Sequence, residues 1–173
     1  MARGGKLSRN DRDRAVRLAA EFRSVRALGE QAQPVSVAPL LRTRNPTQAP
    51  SRAVVGIHDY RRNRSMAVVV DLDAGKGIAA AETPARFQLS ESEIRAAERL
   101  AGRDPSVRSF LRGRPMDPLT RLYFPPAGRG HDRGHRFAIV FLRPTKSERR
   151  YAVVDLSIGA VTEVLGPEHL RKE

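Results

Sequence analysis

The chain has 173 residues and a formal net charge of +13, from 32 Lys and Arg against 19 Asp and Glu. It contains no Cys and no Trp, which excludes disulfides, thiolate metal ligands and cysteine nucleophiles. It has neither an apolar run of the roughly 20 residues that span a membrane nor an apolar leader, so we expect a cytoplasmic protein without integral membrane association.

The positive charge has two interpretations. A basic surface attracts phosphates and releases counterions when it binds nucleic acid or another polyanion. However, 28 of the basic residues are Arg and only 4 are Lys, a bias that a GC-rich coding sequence produces whatever the function. Residues 1–52 hold 11 basic and 4 acidic side chains, so over half of the net charge lies in the first third of the chain.

The first predicted element is an amphipathic helix from about Asp11 to Leu28. Its apolar residues recur with helical spacing and form one stripe: Ala15, Leu18, Ala19, Phe22 and Val25. Arginines cover much of the remaining surface, and among them Arg12 and Arg17 are candidate polyanion contacts. The alternative is a helix that packs on its own domain and keeps its arginines in water.

The next segment, residues 31–52, contains four prolines. Proline donates no backbone hydrogen bond and disfavours a helix or a central strand, so we predict a linker or an extended arm. This places a domain boundary near Ser51, with a basic helix and linker at 1–50 and an α+β domain at 51–173.

Residues 51–173 alternate between strand and helix patterns. The β-branched runs at 53–58 and 66–72 and a short run at 77–82 predict a β-meander. Two helices follow within 90–113, the first opened by an S-x-x-E capping box at Ser90 and the second by Asp104-Pro105. A short run at 121–124 and strands at 136–142, 151–156 and 161–165 close the chain.

The sequence repeats itself at an offset of 84 residues. VVDLDAG at 69–75 matches VVDLSIG at 153–159 in five of seven positions. We therefore predict an α+β fold in which antiparallel β-meander units at 53–82 and 137–165 are repeated and helices pack on the sheets. In this interpretation the Asp and Gly of the repeat form turns and have no catalytic role.

Three segments resemble the small non-catalytic N-terminal domains of copper-containing amine oxidases: RNRSMAVVVDLDAGKGI, LSESEIRAAERLAGRDPSVRSFL and HRFAIVFLRPTKSERRYAVVDLSIGAVTEV. The resemblance covers about residues 52–165, and it implies a cystatin-like fold in which a helix packs on a sheet. It also implies an accessory role in protein interaction or assembly.

The residues of the catalytic domain of that family have no counterpart here. The family builds a topaquinone cofactor from a tyrosine that follows an Asn, and its copper is held by three histidines. None of Tyr60, Tyr123 and Tyr151 follows an Asn, and the chain has no His-x-His pair. We therefore expect no enzyme activity, no cofactor and a protein partner.

The loop GRGHDRGH at 128–135 contains the most suggestive cluster of candidate ligands. His131, Asp132 and His135, with His58 or His169 as a third imidazole, are a weak candidate for a divalent metal site. Neighbouring arginines oppose a cation, so we expect no bound metal.

The same loop suits an anion better. Its glycines free backbone N–H groups, and Arg129, Arg133 and Arg136 supply planar donors. Two predicted hairpin turns add further candidate polyanion contacts, which are Arg61, Arg62 and Arg64 in the first and Arg149 and Arg150 in the second. Binding of a nucleic acid through these turns and the basic arm is the alternative to a protein-interaction role.

Overall fold

The computed structural model describes residues 6–40, 50–84, 87–116, 118–126, 134–143 and 148–170. It is α+β, and it divides into two compact units, Met1–Phe87 and Gln88–Glu173. In each unit two helices precede a four-stranded antiparallel sheet whose strands lie side by side in chain order. No helix in the described ranges is both long and apolar enough to cross a membrane.

The elements of the first unit are α1 (Arg9–Ala20), α2 (Arg23–Arg26), β1 (Ala32–Pro39), β2 (Arg52–Asp59), β3 (Arg64–Asp71) and β4 (Lys76–Thr83). Those of the second unit are α3 (Glu91–Arg103), α4 (Pro105–Leu111), β5 (Leu119–Tyr123), β6 (Phe137–Leu142), β7 (Arg150–Asp155) and β8 (Ala160–Leu165). A 3-10 turn, Pro167–Leu170, follows β8.

Helix α1 begins at a capping box formed by Ser8 and Asp11. The Oγ of Ser8 accepts from the Asp11 N–H at 3.1 Å, and the Asp11 carboxylate accepts from the Ser8 N–H at 3.2 Å. The helix ends at Ala20 and not near Leu28, because Phe22 is extended at φ −63° and ψ 132°. The buried face of α1 packs on β1, β2 and β3.

Strand β1 lies within the segment that we predicted to be a linker. It pairs with β2 over most of its length, from Ala32 opposite Asp59 to Pro39 opposite Ala53. Two of its residues are prolines, which an outer strand tolerates because only one of its edges is hydrogen-bonded. The linker prediction is therefore wrong for this stretch, and the boundary near Ser51 falls inside the first unit.

The second unit has the same arrangement. Ala97 and Ala101 of α3 are fully buried against the sheet, and small side chains at these positions let the helix approach the strands closely. The core beneath them comes from β6 and β7 and from Val107 and Leu111 of α4. The other sheet face carries a second apolar cluster, made of Phe137, Val153 and Leu165 with Tyr123 and Tyr151.

The repeated V-V-D-L segments form equivalent turns. Asp71 accepts from the Asp73 N–H at 3.1 Å and the Ala74 N–H at 2.9 Å, and Asp155 accepts from the Ser157 N–H at 2.8 Å. Gly75 and Gly159 close the two turns at φ 63° and φ 69°, a conformation that favours glycine. The turn role predicted for these residues is confirmed.

The repeat extends beyond the strands. Ser8 and Ser90 are both N-caps with a capping box, so α1 and α3 occupy corresponding places before their sheets. The helices that we predicted between the two strand units are α3 and α4, and in the structure each sheet has its own preceding helix pair.

The Asp71 turn predicts a pH dependence. The N–H of Ala74 lowers the pKa of Asp71, and the side chain of Arg52 lowers it further, although burial opposes the shift. A carboxyl whose pKa is lower in the folded state stabilises the fold above its unfolded pKa, and this stabilisation is lost as the pH falls through the folded pKa. We expect wild type to exceed Asp71→Asn in stability at pH 7 and the difference to shrink below about pH 4.

Urea unfolding of both proteins at pH 7 and at about pH 3 measures this difference. Asp73→Asn is the matched control, because it removes the neighbouring exposed carboxylate, and it should change stability at pH 7 by less than about 0.5 kcal/mol. A difference between wild type and Asp71→Asn that stays constant with pH would contradict the prediction.

Candidate functional site

The proposed metal loop lies mostly outside the described residues. His131, Asp132, Arg129 and Arg133 are not described, whereas His135 is. Nδ1 of His135 lies 2.6 Å from Oδ2 of Asp155, the carboxylate that also holds the turn after β7. In the described ranges, no group of three or more His, Asp and Glu side chains is arranged to hold a metal ion.

The other two histidines that we considered as third ligands lie elsewhere. His58 is buried in β2, and its Nδ1 lies 3.1 Å from the Ser65 Oγ on the neighbouring strand. His169 is in the last turn, where its Nδ1 is 3.0 Å from Oε1 of Glu168.

Arg136, the third arginine of the proposed anion loop, is buried and forms an ion pair with Glu93. Nε of Arg136 contacts one carboxylate oxygen, and Nη2 donates to the other at 3.1 Å and to the Gln88 carbonyl at 2.9 Å. The Glu93 carboxylate also accepts from the Ser90 N–H at 2.7 Å. This guanidinium therefore joins the start of α3 to β6 and is used within the fold.

The turn between β2 and β3 is organised by a fully buried carboxylate. Oδ1 of Asp59 accepts from the N–H groups of Arg61 and Arg62 at 3.0 and 3.2 Å. Its Oδ2 lies 3.6 Å from Nη1 of Arg62 and 3.9 Å from Nε of Arg64. Of the three arginines predicted to contact a polyanion here, Arg62 and Arg64 are partly neutralised, and Arg61 is exposed and forms no ion pair within the described residues.

Helices α1 and α2 carry six arginines, and all six are exposed. None of them forms an ion pair with a carboxylate of the described residues. Nη1 of Arg62 donates to the Ala27 carbonyl at 3.3 Å, which places the β2–β3 turn beside the end of α2. The name arginine face is used for this set, which is defined by exposure and spans α1, α2 and the β2–β3 turn: Arg9, Arg12, Arg14, Arg17, Arg23, Arg26 and Arg61.

The arginine face contains three of the predicted site residues, Arg12, Arg17 and Arg61, and four that we had not assigned to a site. Two of the missed residues share α1 with Arg12 and Arg17 and two lie on α2, and the density of arginines in residues 9–26 is the signal that could have identified them. In the second unit, Arg149 and Arg150 are exposed, and they are the residue before β7 and its first residue.

No protein-family model matches the chain, and no curated protein matches it significantly.

Proposed function

We propose that this protein is a polyanion-binding module and that the arginine face of the first unit contacts the ligand. The observation that carries the proposal is the unneutralised charge of these side chains: seven exposed guanidinium groups lack a carboxylate partner among the described residues. An unpaired guanidinium keeps its field and its planar donors for an external phosphate. The first unit holds 16 basic and 8 acidic residues, which adds a long-range attraction.

The expected ligand is a nucleic acid recognised through its backbone. Arginine contacts to phosphates position a protein on the strand without reading its sequence. With no Trp and 5% aromatic residues, the chain is poorly supplied for base stacking, so we expect little sequence preference.

The buried carboxylates support binding as opposed to catalysis. One oxygen of Asp59 and one of Asp155 accept from turn N–H groups, while the other oxygen of Asp155 lies against His135. Glu93 uses its oxygens on Arg136 and on a helix cap. Groups in such interactions stabilise turns and helix ends. We therefore propose that the protein is not an enzyme.

The test is binding of a duplex and of a single-stranded oligonucleotide, followed by fluorescence anisotropy over a series of salt concentrations. Replacing Arg9, Arg12 and Arg17 by Gln should weaken binding at low salt and reduce the slope of log K against log salt by about 2 to 3 for a duplex. The reason is that each lost phosphate contact releases about one fewer counterion.

The matched control changes the corresponding helix of the second unit. Arg95, Arg99 and Arg103 are exposed on α3, and their replacement by Gln removes the same charge. An equal loss in both triple variants would show that only net charge matters. No binding at low salt would overturn the proposal.

The second candidate is an accessory protein-interaction module, and the outer strand β4 favours it. Within the described residues of its sheet, β4 pairs only with β3, and its Ile78 is 42% exposed. A partner strand adds to such an edge through backbone hydrogen bonds and apolar contacts. Binding of a protein partner that changes little with salt, together with no binding of oligonucleotides, would favour this candidate.

A further inference from the structure

We infer that the second unit contains a separate cleft for a small phosphorylated ligand, beside α4. The cleft has a volume of about 590 Å³, and the lining residues that carry the argument are Ser109, Phe110, Arg112, Arg114, Glu148 and Arg150. Its volume lies in the range of small-molecule sites. This site is independent of the arginine face, because all of these residues belong to the second unit.

The local sequence explains why the arginines converge there. The Asp104 carboxylate caps α4 by accepting from the N–H groups of Ser106 at 2.9 Å and Val107 at 3.1 Å. The helix ends at Leu111, and the next residue, Arg112, adopts a left-handed conformation at φ 51°. The chain therefore reverses immediately after α4, and both Arg112 and Arg114 line the cleft.

Two of the three guanidinium groups are held in place before any ligand binds. Nη1 of Arg114 lies 2.8 Å from Oε2 of Glu148, and its Nε donates to the Leu111 carbonyl at 3.1 Å. The guanidinium of Arg150 stacks on the Phe110 ring, 4.9 Å from the ring centroid. Because these donors are already held, less side-chain entropy is lost when a ligand binds.

The charge of the cleft points to a phosphate group. Three arginines face one carboxylate, so Glu148 neutralises Arg114 and leaves the charges of Arg112 and Arg150 uncompensated among the described residues. Two planar cations at one concave surface suit a doubly charged anion with several oxygens, such as a phosphomonoester or a diphosphate. The hydroxyl of Ser109 supplies a neutral donor in the same cleft.

Pyrophosphate and a nucleoside diphosphate are the probes, titrated into the full chain at low salt. The readouts are calorimetry and the amide chemical shifts of α4 and of the start of β7. We expect Arg112→Gln and Arg150→Gln each to weaken the affinity for both probes about tenfold or more, because each removes a charge-assisted hydrogen bond. Arg99→Gln, an exposed arginine of α3 outside the cleft, should leave the affinity within about twofold.

The two probes distinguish the sources of the phosphate. Equal affinities mean that the cleft recognises the diphosphate group alone. Tighter binding of the nucleoside diphosphate means that the cleft also contacts the nucleoside. Both results support the inference. It is overturned if neither probe shifts the amides of α4 and β7. It is also overturned if Arg99→Gln weakens binding as much as the two cleft variants.

Discussion

Replacing Arg136 by Met is expected to destabilise the second unit by about 3–5 kcal/mol. Met keeps most of the aliphatic volume, but it leaves the Glu93 carboxylate buried without its cation. Both side chains are 4% exposed, so water cannot take the place of the lost donors. The Gln88 carbonyl also loses the hydrogen bond from Nη2.

Urea unfolding measures this loss, and hydrogen exchange in α3 and β6 shows whether it is confined to the elements that the ion pair joins. Arg99→Met is the control, because it makes the same chemical change at an exposed position of α3. Adding Glu93→Gln to the Arg136 variant should recover part of the stability, since no buried charge is then left unpaired. A loss below about 1 kcal/mol in the single variant would mean that the pair contributes little.

Replacing Gly77 by Ala is expected to destabilise the first unit by about 1–3 kcal/mol. A Cβ atom at this position of β4 would overlap the Phe22 ring at Cε2 and Cδ2. Phe22 packs against the core of the first unit, so the ring can move only by disturbing its neighbours. Without this overlap the change would be neutral or favourable, because Gly weakens a strand.

A double-mutant cycle tests the cause of this loss. In a Phe22→Ala background the cost of Gly77→Ala should fall close to zero, because the overlap is removed in advance. Gly102→Ala is the control, since a Cβ there meets nothing closer than Met116 Cε at 3.7 Å, and Ala is expected to stabilise α3 by up to about 1 kcal/mol. Equal costs of Gly77→Ala in both backgrounds would exclude Phe22 as the cause.

Much of the local structure could be predicted from the sequence. The strand runs at 53–58, 66–72 and 77–82 correspond to β2, β3 and β4, and the helices predicted within 90–113 correspond to α3 and α4. These predictions rest on short-range patterns, such as β-branched runs and capping residues three positions apart. The offset of 84 residues also identified the equivalent turns at Asp71 and Asp155.

The candidate sites were predicted less completely. Among the arginines expected to contact a polyanion, spacing alone could not separate Arg61 from the ion-paired Arg62 and Arg64, because the distinction depends on the buried Asp59 carboxylate beneath the turn. Arg136 has the same charge and was also predicted to bind an anion, yet it is buried against Glu93, 43 residues earlier in the chain. Nothing local to either residue indicates that pairing.

The sequence by itself determined most of the strands, the two V-V-D-L turns and the capped starts of α3 and α4, because these depend on residues a few positions apart. Only the tertiary structure decided that the proline-rich segment contains an outer strand, because β1 is held by hydrogen bonds to β2, a strand that begins at Arg52. It also decided which arginines remain available to a ligand. That outcome depends on which carboxylates the packing brings within reach, and the packing brings one to Arg136 and none of the described ones to Arg12 or Arg17.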